Sequence, residues 1–508
     1  SMIERVEVMR GGGSALFGSS AIAGTINIIT KEPLRNSGQL SHTITSLGGS
    51  SSFDNNTSLN ASLVTDDHRA GLYIFGQNRY RSGYDYDGDG FTELPKLKNQ
   101  TVGFRSYLKT STYSKLTFEY HHMQEFRRGG DMLNRPPHEV HIAEQLQHSI
   151  DGGSLKFDYF SPDEKNRLSV FASAANTDRD SYYGPGNDPL KAYGKTTDLT
   201  AMGGAQYVHT FDKCFFMPSD LTAGLEYNRD RLKDNMWGYN RHTDQTVNIY
   251  SAFLQNEWKN DRWGILIGGR LDKHNMVDNV IFSPRANLRF NPTQNINLRL
   301  SYSSGFRAPQ AFDEDMHIEN VGGTVAMIER AKDLKEEKSQ SFSASADMYH
   351  RFGAFQTNLL IEGFYTRLTD VFVLGEPYDR GDGILVKTRS NGPGAKVMGL
   401  TLEGKVAYLS ILQIQAGLTL QRSRYDEPHK WHDDAPAEKK IFRTPDTYGY
   451  FTATYTPIKP LSIALSGTYT GRMLVQRMDI TAENAELGEM PERKAEAIRT
   501  PRFFDLGV

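Results

Sequence analysis

Residues 296–303 read INLRLSYS, with an apolar residue at every even position and a polar residue at every odd one. Successive side chains of a β-strand point to opposite faces, so this alternation predicts a strand with one apolar and one polar face. The preceding stretch repeats the pattern, because Ala286, Leu288 and Phe290 alternate with polar residues. Together these stretches predict neighbouring strands of a sheet whose two faces meet different surroundings.

The same alternation recurs from residue 37 to the end of the chain, in segments of roughly 10 to 15 residues bounded by polar turn clusters. One of these segments, 384–408, contains the turn-like sequence Asn391-Gly392-Pro393-Gly394, but we interpret it as one long strand. The twenty segments are 37–47, 55–65, 69–81, 99–110, 114–126, 150–160, 166–179, 199–211, 219–232, 245–259, 262–275, 281–290, 294–304, 339–352, 354–370, 384–408, 411–424, 444–456, 460–473 and 502–508.

The connections between these segments alternate in length. If 384–408 is one strand, the long loops fall on one side of the sheet and the short turns on the other. The exceptions are the short connections 48–54 and 276–280 and the longer turn 211–218. Short turns at one end and long loops at the other are typical of outer-membrane barrels. A soluble sandwich or propeller gives no reason for such sorting. The long loops are 82–98, 127–149, 180–198, 233–244, 305–338, 371–383, 425–443 and 474–501.

The composition agrees with a membrane barrel. No apolar run reaches the ~18 residues of a membrane helix, whereas barrel strands are apolar only at alternate positions. The formal net charge of −3 does not indicate the overall basic character that is typical of nucleic-acid-binding proteins. Cys214 is the single cysteine, which excludes an intrachain disulfide. We therefore predict an all-β fold, a large antiparallel transmembrane β-barrel.

Residues 3–33 precede the first segment and read IERVEVMRGGGSALFGSSAIAGTINIITKEP. The pattern predicts a strand, a glycine-rich turn and a second strand that ends at Pro33. A phosphate-binding loop is the competing interpretation of the three glycines, but no Gly-Lys-Ser/Thr follows them. The stretch resembles the end of the plug domain of TonB-dependent outer-membrane receptors. IERVEV, RG, SALFG and GTINIITK match that family's pattern.

This resemblance implies the organisation of the chain. Residues 1–33 would be the C-terminal remnant of a plug domain, and residues 37–508 the transmembrane barrel. Barrels of the family have 22 strands, so about 20 of 22 would be present and about two C-terminal strands would be missing. The resemblance also implies the outer membrane of a Gram-negative bacterium and outer-membrane lipid as surroundings. TonB would be a partner through the missing N-terminal region, and a surface lipoprotein is an additional candidate partner.

The longest loop carries the first candidate ligand site. Residues 306–309 read FRAP and resemble the FRAP box of many TonB-dependent receptors. In haem receptors of the family an Asn-Pro-Asn-Leu box follows, with an axial histidine between the boxes. Here residues 331–334 read AKDL, and His317 is the only histidine in between. The candidate ligand-binding residues are therefore His317, Asp313, Asp315 and Arg307. Asp313, Glu314 and Asp315 form an acidic cluster, and an ordinary solvated loop is the alternative to ligand binding there.

Residues 83–93, GYDYDGDGFTE, form the best candidate metal site. Alternate aspartates with glycines allow the backbone to curl so that several carboxylate oxygens face one calcium ion. The predicted ligands are Asp85, Asp87, Asp89 and Glu93. The stretch resembles a partial EF-hand loop and, in a barrel, the calcium-ordered loops of cobalamin receptors. An ordinary Asp/Gly turn is the alternative.

A second candidate metal site contains three histidines in another long loop, His138, His141 and His148. Their spacing is not that of a His-Glu-x-x-His zinc site, so a polar loop that begins with a short helix after Pro136-Pro137 competes with metal binding.

The resemblance implies TonB-dependent active import of a large, scarce nutrient. We expect an iron chelate or haem as the transported ligand, with no covalent cofactor. A cobalamin receptor of the same family is the alternative. A passive porin or structural barrel is the alternative from another class, and residues 3–33 argue against it because porins lack a plug. We find no catalytic set in the loops and expect no enzyme activity.

Overall fold

The structure, a computed structural model, describes residues 2–10, 13–185, 193–311, 319–321, 324–381, 385–431, 435–480 and 493–508. Thirty strands dominate these described ranges. The helices within them are α1 (Ser14–Phe17) and two single 3-10 turns, Pro137–Glu139 and Trp237–Tyr239. Within the described ranges, no helix is both long enough and apolar enough to cross a membrane.

The strands have the following bounds, in chain order: β1 (Ile3–Arg10), β2 (Gly24–Thr30), β3 (Ser37–Ser46), β4 (Phe53–Val64), β5 (Ala70–Arg81), β6 (Lys96–Ser111), β7 (Ser114–Gly130), β8 (Ile142–Phe160), β9 (Asn166–Pro185), β10 (Tyr193–Cys214), β11 (Met217–Met236), β12 (Arg241–Lys259), β13 (Trp263–His274), β14 (Ile281–Thr293), β15 (Ile296–Arg307), β16 (Glu319–Val321), β17 (Thr324–Arg330), β18 (Glu337–Phe352), β19 (Phe355–Thr369), β20 (Phe372–Leu374), β21 (Tyr378–Asp379), β22 (Leu385–Asn391), β23 (Ala395–Tyr408), β24 (Leu412–His429), β25 (Glu438–Lys440), β26 (Thr447–Ile458), β27 (Leu461–Thr470), β28 (Leu474–Ile480), β29 (Arg493–Arg499) and β30 (Phe503–Gly507).

Twenty of these strands form one antiparallel barrel wall, and each overlaps one of the predicted segments, although several, such as β8, begin inside a predicted long loop. They are β3 to β15, β18, β19, β23, β24, β26, β27 and β30, each paired with the next. β3 and β30, the first and last strands of the wall in chain order, are exposed along their length. The prediction of a large antiparallel barrel is confirmed. The missing strands and the boundaries of the two predicted domains stay predictions.

The wall has an apolar outer face and a polar inner face, as the alternation predicts. In β13, Ile267 and Leu271 point outward and are exposed, whereas Arg270 and Asp272 point inward and are buried. Inside, Arg270 lies 2.6 Å from Glu226 and 2.9 Å from Asp272, and Ser251 donates to Asp272 at 2.6 Å. These contacts offset part of the cost of burying the polar groups, although Arg270 Nη1 and Asp272 Oδ2 are buried without a hydrogen-bond partner in the described part of the chain.

The segment 384–408 is not one continuous strand. It divides at 392–394 into β22, which belongs to a separate sheet, and β23, which belongs to the wall. In that separate sheet β22 pairs parallel with β17 and antiparallel with β20 and β21, and β16 extends it through β17. Pro393 cannot donate a ladder hydrogen bond, which suits a strand boundary. The segment still supplies only one crossing, as the loop lengths predict.

The predicted strand–turn–strand at the start of the chain is an antiparallel hairpin of β1 and β2, with Val6 opposite Ile28. Between the strands lies α1, which the sequence analysis did not predict. Ser14 in α1 accepts a hydrogen bond from the Phe306 N–H at 3.0 Å, and the Ser20 N–H donates to the Phe306 carbonyl at 2.8 Å. The hairpin is therefore bonded to the wall where β15 ends.

A second contact holds the other end of this hairpin. Glu32, just after β2, lies 3.0 Å from Lys115 and 3.3 Å from Arg105, which belong to β7 and β6. Burial opposes the ionisation of Glu32 most strongly, but the two cations outweigh it and lower the pKa of this carboxyl. The hairpin thus contacts two parts of the wall that are far apart in strand order.

Candidate ligand-binding site

The long loops pack around an apolar core at one end of the barrel. Tyr182 lies edge-on to Tyr193 with ring centroids 4.9 Å apart, and the Tyr239 hydroxyl donates to the Tyr183 carbonyl at 3.2 Å. Burying these rings fixes loops that are distant in sequence against one another. We call this group the loop core; its residues are Val140, Ala143, Leu146, Tyr182, Tyr183, Met236, Tyr239, Met327 and Val386.

A pocket of about 540 Å³ lies beside the loop core, and Met327 belongs to both. Basic side chains dominate its charged lining, since Arg241, Arg330, Arg380 and Lys332 face a single carboxylate, that of Glu329. We call it the cationic pocket. Its size falls within the range of pockets that enclose small ligands. Its charge favours an anionic occupant.

Hydrogen bonds orient the arginines of the cationic pocket. Arg330 donates to the Gln245 side chain and to the Pro309 carbonyl, each at 2.9 Å. Arg380 donates to the Tyr239 carbonyl at 3.1 Å, so the loop core positions this guanidinium directly. Arg241 forms an ion pair at 2.8 Å with the fully buried Asp234. Arg380 also lies 3.6 Å from Glu329, so part of the positive charge is already balanced, and the hydrogen bonds fix how each planar guanidinium is oriented in the lining.

Arg307, the one predicted ligand-binding residue in the described part of the chain, does not line the cationic pocket. Its guanidinium lies 5.5 Å from the centre of the Phe372 ring, in a cation–π contact. Asp313, Asp315 and His317 lie outside the described residues. The predicted loop does contribute to the pocket, but through Pro309, Ala311 and Arg330.

The predicted calcium loop has the expected geometry. Asp85, Asp87, Asp89 and Glu93 each place one carboxylate oxygen within 4.8 Å of the others. The carboxylate of Asp85 accepts the Gly88 and Gly90 N–H groups at 2.7 and 2.9 Å. Both glycines have positive φ angles (79° and 92°), which a side chain would disfavour. The four carboxylates thus converge, and calcium binding stays a prediction.

The three loop histidines do not form a metal site. His138 is hydrogen-bonded to the Tyr193 hydroxyl at 2.8 Å, and His141 Nδ1 lies 2.6 Å from Asp131. His148 lines a separate cavity with Arg179 and Asp198. Across the described ranges, the calcium loop is the one group of three or more His, Cys, Asp or Glu residues close enough to share a metal ion.

Asp131 instead shapes the loop between β7 and β8. Its buried carboxylate also accepts the Ile142 N–H at 3.1 Å. Burial opposes ionisation most strongly, but this donor and His141 outweigh it and hold the pKa of Asp131 below its ordinary value. Because the pKa of Asp131 is lower in the folded state, its ionised carboxylate stabilises the fold above the ordinary pKa of about 4. This stabilisation is lost as pH falls through the lower, folded pKa.

Comparison with known proteins identifies a family and a fold. A family model described as TonB dependent receptor-like, beta-barrel matches residues 25–486. A curated relative, the iron-regulated outer membrane virulence protein of Vibrio cholerae serotype O1, is 26% identical over 322 residues. That match covers 61% of this chain and 45% of the relative, so the chain spans less than half the length of the curated relatives it matches.

Two solved structures are similar over 99% of this chain and 78% of their own. The siderophore receptor PirA from Acinetobacter baumannii has a TM-score of 0.78 at 15% identity. A mutant of the ferric enterobactin receptor PfeA from Pseudomonas aeruginosa, in complex with enterobactin, has a TM-score of 0.77 at 16% identity. At this identity the likeness shows a shared fold.

Proposed function

The chain belongs to the TonB dependent receptor-like β-barrel family of the Gram-negative outer membrane, and on this premise we propose that the full-length protein imports an iron chelate. TonB is the proposed energy-coupling partner, and a surface lipoprotein that caps the barrel is a further candidate. The names of the Vibrio relative and of the two receptors of similar fold support iron as the cargo.

The cationic pocket is the observation that carries the choice of ligand. Ferric complexes of catecholate siderophores are anions, and three arginines with one lysine around a cavity of about 540 Å³ favour such a charge. The ligand would meet groups that are already oriented by Gln245 and by backbone carbonyls. This preorganisation reduces the cost of ordering side chains on binding.

Haem and cobalamin are the alternatives within the family. The haem alternative rests on His317 and on the FRAP sequence at 306–309. The cobalamin alternative rests on the carboxylate loop, by analogy with calcium-ordered loops. A passive porin is the alternative from another class, and the hairpin bonded to the wall at Phe306 supports a plugged transporter instead.

Titration of the full-length receptor in detergent with ferric enterobactin, haem and cobalamin tests the proposal. We expect tight binding of the ferric catecholate. Substitution of both Arg330→Gln and Arg380→Gln is expected to weaken that binding at least tenfold, or about 1.4 kcal/mol, because the pocket loses two positive charges. Quenching of tryptophan fluorescence measures the affinity.

Arg443→Gln with Lys439→Gln is the matched control, because both residues are exposed, neither lines the pocket, and the change removes the same two charges. It should bind like the wild type, and heat-dependent migration in electrophoresis should show that each variant is folded. Unchanged affinity in the folded double variant would contradict the pocket assignment. A Soret band that is lost on His317→Ala, without catecholate binding, would establish haem instead.

A further inference from the structure

A second cavity, of about 360 Å³, lies next to the cationic pocket. The four neighbouring strands β8 to β11 each contribute two residues to its wall, and residues 310 and 311 close it. We call it the carboxylate chamber. Among the described residues that line it, the titratable ones are His148, Arg179, Asp198 and Asp230. Two carboxyl groups and only one permanent cation therefore share this enclosed space.

Residues 309–311 separate the two cavities. The first of them lines the cationic pocket, the second lines the chamber, and the third lines both. We call these three residues the strap. The N–H of Ala311 donates to the side-chain oxygen of Gln245 at 2.8 Å, and Arg330 donates to the same oxygen at 2.9 Å. One buried amide thus holds both the strap and an arginine of the cationic pocket.

The two carboxyl groups of the chamber touch each other. Asp198 and Asp230 are joined by a hydrogen bond between their side chains. One oxygen atom of each group is buried and receives no other donor in the described part of the chain. An ionised carboxylate only accepts hydrogen bonds, so two carboxyl groups can bond to each other only when one of them carries a proton. The contact therefore requires one shared proton.

Asp198 lies beyond the part of the wall that crosses the bilayer. From Cys214, at a short turn, the strand advances 16 residues (214 − 198) to reach it. At ~3.3 Å per residue and a tilt of about 45°, this is roughly 37 Å, more than the ~30 Å of hydrocarbon. Burial, followed by the hydrogen bond and charge of Asp230, raises the pKa of Asp198 to about 7, although Arg179 acts in the opposite direction.

Arg179 connects the chamber to the cationic pocket. Its guanidinium donates to the Thr196 hydroxyl at 3.1 Å and lies 4.0 Å from Asp234. Asp234 pairs at 2.8 Å with Arg241, which lines the cationic pocket. An ionised Asp198 would compete with Asp234 for Arg179. Asp234 would then neutralise Arg241 more fully, and the cationic pocket would lose part of its positive charge.

We propose that Asp198 and Asp230 share one proton at neutral pH, and that loss of this proton weakens the binding of an anion in the cationic pocket. The second part rests on the proposed function, and the first part does not. Loss of the proton adds a negative charge beside the strap, which repels an anion on its other side. The affinity for an anion therefore falls as pH rises through about 7.

Infrared spectroscopy of the full-length receptor in detergent tests the shared proton. We expect the carbonyl band of one protonated carboxyl group per chain at about pH 6, where ordinary carboxyl groups are ionised, and its loss by about pH 8.5. Asp198→Asn should remove the band, because its amide donates to Asp230 without a proton. Asp230→Asn should remove it in the same way, and it decides the question if the first variant fails to fold.

Asp180→Asn is the matched control, because Asp180 is an exposed carboxylate in β9 and does not line the chamber. It should keep the band. A histidine can also change its charge near neutral pH, so His148→Gln is the second control and should keep the band as well. Absence of the band from the wild type, or its persistence in the folded Asp198→Asn or Asp230→Asn variant, would overturn the shared proton.

Titration with ferric enterobactin across the same pH range tests the effect on the cationic pocket. The affinity of the wild type should fall at least about fivefold between the two pH values, as is typical of coupled sites. The affinity of Asp198→Asn should stay constant, and His148→Gln should behave like the wild type. A constant wild-type affinity would overturn the coupling. Absence of ferric enterobactin binding would overturn the coupling together with the proposed function, whereas the infrared band decides the shared proton alone.

Discussion

At the scale of single residues, the carboxylates of the calcium loop make the sharpest prediction. Asp85, Asp87, Asp89 and Glu93 place four negative charges within 4.8 Å. A calcium ion would replace their mutual repulsion with coordination by hard oxygen atoms. We expect one calcium ion per chain by isothermal titration, and the double variant Asp87→Asn, Asp89→Asn should abolish that binding.

Asp333→Asn with Asp370→Asn is the control for this experiment, because both residues are exposed carboxylates on other long loops. It removes the same charge and should leave binding intact. The backbone N–H groups bound by Asp85 already support the loop without a metal. If titration of the wild type shows no heat of binding, the loop is an ordinary Asp/Gly turn.

The two candidate sites show what sequence reasoning can find at this scale. The calcium loop could be predicted because all its ligands lie within nine consecutive residues, and local backbone geometry brings them together. The cationic pocket could not, because Arg241, Arg330 and Arg380 belong to three different connections. They meet only because the loop core packs around Met327 and Tyr239. The spacing of these residues along the sequence gives no information about that packing.

At the scale of elements, the alternation of side chains predicts every crossing strand, because one wall separates lipid from a polar interior. The same rule misplaced the first part of 384–408. Leu385–Asn391 alternates like its neighbours, but it pairs in parallel with β17 in a separate sheet, and the chain enters the wall only after Pro393. An alternation with a period of two residues determines which side chains share a face, but it gives no information about which strand is the partner.

The contact between α1 and β15 makes a prediction at the same scale. Ser14→Ala leaves the N–H of the buried Phe306 without its acceptor, which costs about 1–3 kcal/mol. We expect faster hydrogen exchange at the Phe306 amide and around residues 13–23. Ser19→Ala is the matched control, since the Ser19 hydroxyl is buried without a hydrogen-bond partner. Equal exchange in the two variants would show that this bond does not hold the hairpin.

At the scale of the whole molecule, the sorting of loops by length fixes the orientation of the barrel. Long connections face the outside of the cell in this class of barrel, and short turns face the periplasm. Tyr86 lies in a long connection and Phe215 in the turn between β10 and β11, and both are largely exposed at 76% and 85%. Accessibility of these two positions in intact cells therefore tests the orientation directly.

Cys214 is the only cysteine, so a Cys214→Ser background gives a chain without thiols. In that background, Tyr86→Cys should react with a membrane-impermeant maleimide on intact cells. Phe215→Cys should react only after the outer membrane is opened, because the barrel and bilayer separate it from the reagent. Labelling of both in opened cells shows that both thiols are reactive. Labelling of Phe215→Cys alone on intact cells would reverse the orientation. It would place the cationic pocket on the periplasmic side, where the proposed ligand could not reach it from outside.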